Sequence, residues 1–287
     1  MTKKQVDARF AGAVVVITGA GSGIGRALAL RLARLGADLA LSDIDAHAAE
    51  ATAVACEAAG ARVRADGLDV TERETVLAYA DDVHAHFGKV NQIYNNAGIA
   101  YYGEVTQESF KDIEHVMDVN FWGVVNMTKA FLPRLIASKD GHVVNVSSLF
   151  GLITYPGQSA YNASKFAVRG FTECLRQEML LAKHPVHVTC VHPGGIKTAV
   201  ARNAAAADGL DAARIAQAFD RRLALHSPEM AADTIVEGVR ARRARVLIGT
   251  EAKALDLLGR ITPVGSQRFG AFMSRLLRIA PRPGTTA

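Results

Sequence analysis

Cysteine is scarce in this sequence: Cys56, Cys174 and Cys190 are the only three in 287 residues, and no two form a Cys-x-x-Cys pair. That argues against a disulfide framework or a cysteine-zinc site and fits a reducing cytoplasm. Long apolar runs are missing too. Nothing approaches the roughly 18 consecutive apolar residues of a membrane span, and Ala11 to Ala20, the longest early stretch, is broken by glycine and reads as neither signal peptide nor anchor. The nine histidines, His115, His142, His187 and His192 among them, show no His-Glu-x-x-His or comparable spacing, so no metal is expected. There is no repeat of fixed period, and alanine-rich Asn203 to Asp208 comes nearest to low complexity. What is present, 49% hydrophobic and 21% charged residues, is the composition of an ordinary globular chain.

A net charge of +5 suggests a nucleic-acid partner only until it is divided along the chain. Residues 1–239 carry 23 Lys and Arg against 26 Asp and Glu, and residues 240–287 carry 10 against 2. The basicity belongs to the tail. Arg240, Arg242, Arg243 and Arg245 read as a solvated face or subunit rim, with an anionic-surface patch as the alternative, and no nucleic acid is expected.

Strand-length apolar runs alternate with helical patterns, which predicts βαβ units and a parallel sheet covered on both faces. The strands are predicted at Ala13–Thr18, Asp38–Ser42, Arg62–Ala65, Val90–Tyr94, Gly141–Val146, Val186–Val191 and Arg245–Ile248. Helices are predicted at Gly25–Leu35, Ala46–Ala59, Glu72–Phe87, Gln107–Ala137, Ser159–Ala182 and Pro228–Arg240, with Gly36, Gly60 and Gly88 as stops. The fold class is therefore α/β: a doubly wound, seven-stranded parallel sheet in one domain, residues 1–250, with a helical extension over 251–287. Such sheets bind ligands beyond the carboxyl ends of their strands. The stretch of about 197–227 is the candidate substrate lid.

The first strand runs through Thr18-Gly19-Ala20-Gly21-Ser22-Gly23-Ile24-Gly25 into a helix, a turn that lets backbone approach a pyrophosphate at a helix N-terminus. Asp43 closes the second strand, where a carboxylate accepts hydrogen bonds from ribose hydroxyls and repels a 2′-phosphate. Neither Ser22 nor Ile44 supplies a neutralising base, so NAD is read ahead of NADP. Asp45 suits the N-cap of the following helix better than Asp43 does. Asp69-Val70 and Asn95-Asn96-Ala97-Gly98 follow the third and fourth strands at the same edge, where Asn can also be a plain turn residue.

Tyr161 and Lys165 stand four apart on one helix face, and Ser148 closes the fifth strand thirteen positions before Tyr161. A protonated Lys165 is expected to lower the phenol pKa toward the range of proton transfer at neutral pH. Ser148 would hold a carbonyl or alcohol oxygen, and Tyr161 would exchange its proton. A turn cap is the plain alternative for Ser148.

Thr18-Gly19-xxx-Gly23-x-Gly25, Asn95-Asn96-Ala97-Gly98, Ser148, Tyr161-Asn162-Ala163-Ser164-Lys165 and Pro193-Gly194, in this order and spacing, closely resemble the classical short-chain dehydrogenase/reductase family. The resemblance covers about residues 12–250. It implies a Rossmann fold, catalysis by Asn120, Ser148, Tyr161 and Lys165, and hydride exchange between NAD(P) and a secondary alcohol or ketone. It implies that Lys165 also binds the nicotinamide ribose, that Asn120 holds a relay water, that Asp69 and Val70 meet adenine, and that Pro193, Ile196 and Thr198 fix the carboxamide. Gly19, Ser22, Gly23, Ile24, Gly25, Asp43, Asn96, Gly98 and Tyr161 complete the cofactor contacts. Assembly into a homodimer or homotetramer through the long fourth and fifth connecting helices follows from the same resemblance.

Two departures stand out. Tyr94 replaces the family's usual small aliphatic residue before Asn-Asn-Ala-Gly, and Val246-Leu247-Ile248-Gly249 leads into a long tail where ketoacyl-carrier-protein reductases stop. Phe269, Phe272, Met273, Leu276 and Leu277 recur at helical spacing, as in a helix packed over the pocket or a neighbouring subunit, or alternatively lying on a membrane. Leu149, Phe150, Leu152 and Ile153 suit an apolar, bulky substrate, while Tyr101, Tyr102 and Tyr155 fit either pocket wall or core, and Trp122 fits packing. A silent dinucleotide sensor predicts damage at Ser148, Tyr161 or Lys165, and a nucleotide-sugar epimerase predicts another glycine spacing; neither pattern is found.

Overall fold

A computed structural model describes residues 9–277; residues 1–8 and 278–287, the outer ends of the predicted domain and extension, lie outside the described residues. Seven parallel strands form one sheet in the order β3-β2-β1-β4-β6-β7-β9: β1 (Val14–Thr18), β2 (Asp38–Asp43), β3 (Val63–Gly67), β4 (Gln92–Asn95), β6 (Gly141–Val146), β7 (Val186–Pro193) and β9 (Arg245–Ile248). Every pairing is parallel. Strand order reverses between β1 and β4, which opens a crevice at their carboxyl ends.

β1 is a continuous Val/Ile run, and β4 and β6 are likewise buried along their whole length, as strands covered on both faces are. Val15 and Ile17 of β1 face a core shared with α1 (Gly23–Arg34) and α9 (Pro228–Arg240). Val14 and Val16 face the opposite core, shared with α3 (Arg73–Phe87), α5 (Gly123–Ala137) and α6 (Ser159–Leu181). Asp45 caps α2 (Ala46–Glu57) through the amides of His47 and Ala48, and Gly88 ends α3 with a φ of 76° that L side chains avoid. Tyr94 is fully buried between the sheet and this packing, and its hydroxyl donates to Gln92 Oε1 at 2.9 Å, so the unusual residue is accommodated with its polar atom satisfied.

The predicted helix over 107–137 starts at Phe110 and runs on to Ala137, but it widens midway. A capping box between Ser109 and Asp112 starts α4 (Phe110–Met117), Asp118–Trp122 forms a π-turn, and α5 begins at Gly123. The lid stretch has structure of its own. It holds α7 (Ala199–Arg202), β8 (Ala205–Ala206), which pairs with β5 (Tyr101–Tyr102), and α8 (Ala212–Arg222). Its two ends are joined where Ile196 bridges His226 and Lys197 N–H donates to the His226 carbonyl at 3.0 Å.

The tail forms α10 (Thr250–Ile261) and α11 (Pro263–Leu277). Arg245 Nη2 reaches Asp256 Oδ1 at 2.8 Å, and His226 Nε2 lies 3.0 Å from both Glu251 oxygens, so the tail is tied to β9 and to the lid's end. Of the four arginines read as a solvated rim, Arg240 pairs with Glu237, Arg242 with Asp140 and Arg245 with Asp256, and Arg243 is exposed.

Candidate active site

The glycine turn leaves β1 and enters α1 with no side-chain cap and no acid in its first turn, so the helix N-terminus is free to meet an anion. A Cβ on Gly25 would fall 2.1 Å from the Gly19 carbonyl oxygen, which explains why helix and turn approach only through glycine. Asn96 sets the turn's other wall: its side-chain amide donates to the carbonyls of Thr18 and Gly19 at 3.0 and 3.2 Å, and Thr18 Oγ1 accepts from the amides of Asn96 and Ala97. Asp43 Oδ2 accepts from Gly21 N–H at 2.8 Å and Oδ1 from Asp45 N–H at 3.1 Å, which fixes the carboxylate beside the turn. Asp69 Oδ1 is engaged by both the amide and the hydroxyl of Thr71, and Asn126 holds the Val70 carbonyl at 3.1 Å.

A cavity of about 530 Å³ runs from this turn past Tyr161 to the tail helices. Every predicted cofactor residue except Gly25 lines it, as does Ser148; Asn120 lies behind the wall. Tyr102, Phe150 and Tyr155 prove to be wall residues, whereas Tyr101 pairs with β8 and donates to Asp112.

Ser148 does two things at once. Its Oγ accepts from Phe150 N–H at 3.1 Å, which caps the short turn Leu149–Gly151 and leaves the hydroxyl proton to be donated. The capping alternative and the cavity-facing role are thus compatible. Ser147 Oγ donates to the Lys165 carbonyl at 2.8 Å and stitches the end of β6 to α6. His192 Nδ1 lies 3.0 Å from the Ser148 carbonyl, and burial lowers its pKa to about 4, so the ring is neutral with its proton on Nδ1. His spacing alone speaks only to metal binding; the signal for this role is the place of His192 just before Pro193-Gly194.

Lys165 is almost fully buried, with Nζ donating to the Val146 carbonyl at 3.2 Å and lying 5.6 Å from the Tyr161 ring centre. Desolvation lowers its pKa to about 8. The expected depression of the Tyr161 phenol is not found: desolvation holds its pKa above the ordinary value, with the nearby Ser148 hydroxyl working the other way. Burial of the phenol outweighs its neighbours here, and Lys165 is itself desolvated.

Asn120, fully buried in the π-turn, accepts from Ile99 N–H at 2.8 Å and donates to the Ile99 carbonyl and Ser164 Oγ, each at 3.0 Å. A Cβ on Gly98 would sit 3.0 Å from Asn120 Oδ1 and 3.2 Å from Lys165 Nζ, so glycine keeps the space between them clear.

The family model described as short chain dehydrogenase matches residues 13–209. The chain belongs to the short chain dehydrogenase family. It is an oxidoreductase of that family's type. A Mycobacterium tuberculosis protein named "Putative oxidoreductase SadH" is 68% identical over 262 residues, covering 91% of this chain and 95% of its own. Estradiol 17-beta-dehydrogenase 11 of Macaca fascicularis is 33% identical over 270 residues, 94% of this chain and 84% of its own. Among solved structures, a short chain dehydrogenase/reductase from Burkholderia phymatum in complex with NAD superposes with a TM-score of 0.81 at 29% identity, covering 97% of this chain and 99% of that one.

Proposed function

We propose that this dehydrogenase interconverts an apolar, bulky secondary alcohol and its ketone with NAD. The observation that carries the reading is that Ser148, Tyr161 and Lys165 line one cavity whose other end is the glycine turn. NAD fits the residues present: the uncapped N-terminus of α1 suits its pyrophosphate, Asp43 suits ribose hydroxyls, and Gly98 leaves room beside Lys165. Asp43 and its exposed neighbour Ile44 supply no positive charge for a 2′-phosphate, which favours NAD over NADP.

When bound, the nicotinamide accepts or supplies the hydride at the reacting carbon. Ser148 donates its proton to the substrate oxygen and fixes that oxygen against Tyr161. Tyr161 delivers a proton to the oxygen during ketone reduction and takes it back during alcohol oxidation. Lys165, with a pKa of about 8, is mostly charged at neutral pH and stabilises the phenolate once it forms. It also supplies a donor for the nicotinamide ribose. A water held at Asn120, near the π-turn, would pass protons onward from Lys165. Asp69 and Val70 would hold adenine, and the Pro193, Ile196 and Thr198 backbone would hold the carboxamide.

The apolar substrate class rests on a wall built from Leu149, Phe150, Ile153, Phe219, Leu258 and Met273. The relative named for estradiol, an apolar secondary alcohol, supports the same class. Residues 197–227 act as the lid. Two or four copies assemble through the α5 and α6 faces, where Trp122 and Phe166 are exposed, and the three unpaired cysteines suit the cytoplasm. The test is a panel of small and bulky secondary alcohols and ketones followed by nicotinamide absorbance with each coenzyme. Turnover of bulky apolar members with NAD is expected. Turnover of small polar members alone, or with NADP alone, contradicts the reading.

A further inference from the structure

The tail helices have two unlike sides. Leu255 and Leu258 of α10 and Phe269 and Met273 of α11 line the cavity. The opposite sides carry Leu257, Ile261, Val264, Phe272 and Leu276, with 57–72% of their surfaces exposed. Five large apolar side chains facing water within twenty residues form the kind of patch that soluble surfaces avoid unless something covers it. Leu225, at the end of the lid stretch, both lines the cavity and is exposed, which carries the apolar surface to the pocket mouth.

The same face is basic. Residues 253–277 contain Lys253, Arg260, Arg268 and Arg275 against the single acid Asp256, which already pairs with Arg245 and Arg260. Among the described residues, Lys253, Arg268 and Arg275 have no acidic partner. At 100° per residue, Arg268 and Arg275 fall on the side of α11 that carries Val264 and Phe272.

We propose that the outer face of α10 and α11 docks on an anionic lipid surface, with its apolar side chains in the acyl boundary and its basic ones at the headgroups. No helix among the described residues is long and apolar enough to cross a membrane, so the pair lies along the surface. A second copy of the chain fits this face less well. A two-fold contact would gather the basic residues of both copies into one interface, and the patch offers no free acid to relieve them. Docking sets the cavity one helix layer from the bilayer, with Leu225 at its mouth, so an alcohol leaving the lipid has a short path to the site; this last step rests on the substrate class proposed above.

The test is flotation of the full chain with phosphatidylcholine vesicles, alone or mixed with phosphatidylglycerol, at low and high salt. Flotation with the mixed vesicles is expected, weakened by salt and reduced at least about tenfold by Arg268→Glu/Arg275→Glu, given the size of the attraction of each basic residue to an anionic surface. Phe272→Glu/Leu276→Glu is expected to do the same, and both variants to keep wild-type turnover of a water-soluble alcohol in the absence of vesicles. Circular dichroism melts check that each variant folds, and the wild-type result stands whichever variant fails to. Wild type that does not float with mixed vesicles overturns the proposal. So does flotation unaltered by either variant, with Phe272→Glu/Leu276→Glu instead lowering the assembly mass in sedimentation. A chain that floats yet turns over no alcohol retains the docking face and contradicts the proposed reaction.

Discussion

Lys165 is a charged amine with only 4% of its surface exposed, and burial brings its pKa from 10.5 to about 8. The unfolded chain therefore holds more protons at this residue between those values, and its contribution to stability rises with pH from about 8 toward 10. Below about 8 both states are protonated and the cost of burying the charge is fully present. Lys165→Met removes that cost. The variant is expected to exceed wild type in stability at pH 7, with the gap closing toward pH 10; denaturant unfolding at three pH values checks this, and a gap that widens contradicts it. The role proposed for Asp43 is in selectivity instead. Asp43→Ala is expected to raise the ratio of NADP to NAD efficiency at least about tenfold by removing a charge repulsion near the adenosine, and a wild type that already prefers NADP contradicts the assignment. Both residues were legible because each closes a recognisable segment. The direction of the Tyr161 shift was not, because spacing puts two side chains on one face without saying how each is desolvated.

At the scale of elements, a chain of buried side chains holds the catalytic helix to the sheet. Asn95 of β4 donates to Asn145 Oδ1 at 2.8 Å, Asn145 of β6 donates to Thr172 Oγ1 at 2.9 Å, and Thr172 of α6 donates to the Val168 carbonyl at 2.6 Å. Thr172→Val leaves the Asn145 amide without its acceptor and is expected to cost about 1–3 kcal/mol of unfolding free energy, measured by denaturant titration. A loss within error would show the chain to be dispensable. Most of this frame was readable in advance: alternating strand and helix patterns marked all seven strands of the main sheet, and Gly36, Gly60 and Gly88 all take positive φ where stops were predicted. The π-turn was not readable, because Gln107–Ala137 has continuous helical character and Asn120 at the turn bonds to Ile99, a partner more than twenty positions earlier. The β5–β8 ribbon escaped notice for a related reason, since two-residue strands give no periodicity.

Across the whole molecule, the doubly wound sheet gathers the glycine turn, Ser148 and Tyr161 at one edge, and the lid and tail close the opposite side of the cavity. Helical spacing in the tail was visible in the sequence, but which side of α11 would meet the cavity was not, since both sides carry large apolar residues. Phe269 and Met273 turn inward to it. Phe269→Ala and Met273→Ala are each expected to lower efficiency toward bulky alcohols roughly tenfold, the range set by lost apolar contact in a pocket, and to leave small alcohols nearly unaffected. Equal losses for both substrate sizes would assign these residues to folding rather than to specificity. The proposed reaction depends on a tyrosine proton beside a serine hydroxyl, at an oxygen held next to NAD. Single-turnover absorbance of Tyr161→Phe with saturating NAD and a bulky secondary alcohol, together with NADH affinity by fluorescence titration, tests this most directly. The account predicts no detectable hydride transfer with NADH affinity within a few fold of wild type; transfer at the wild-type rate would contradict it.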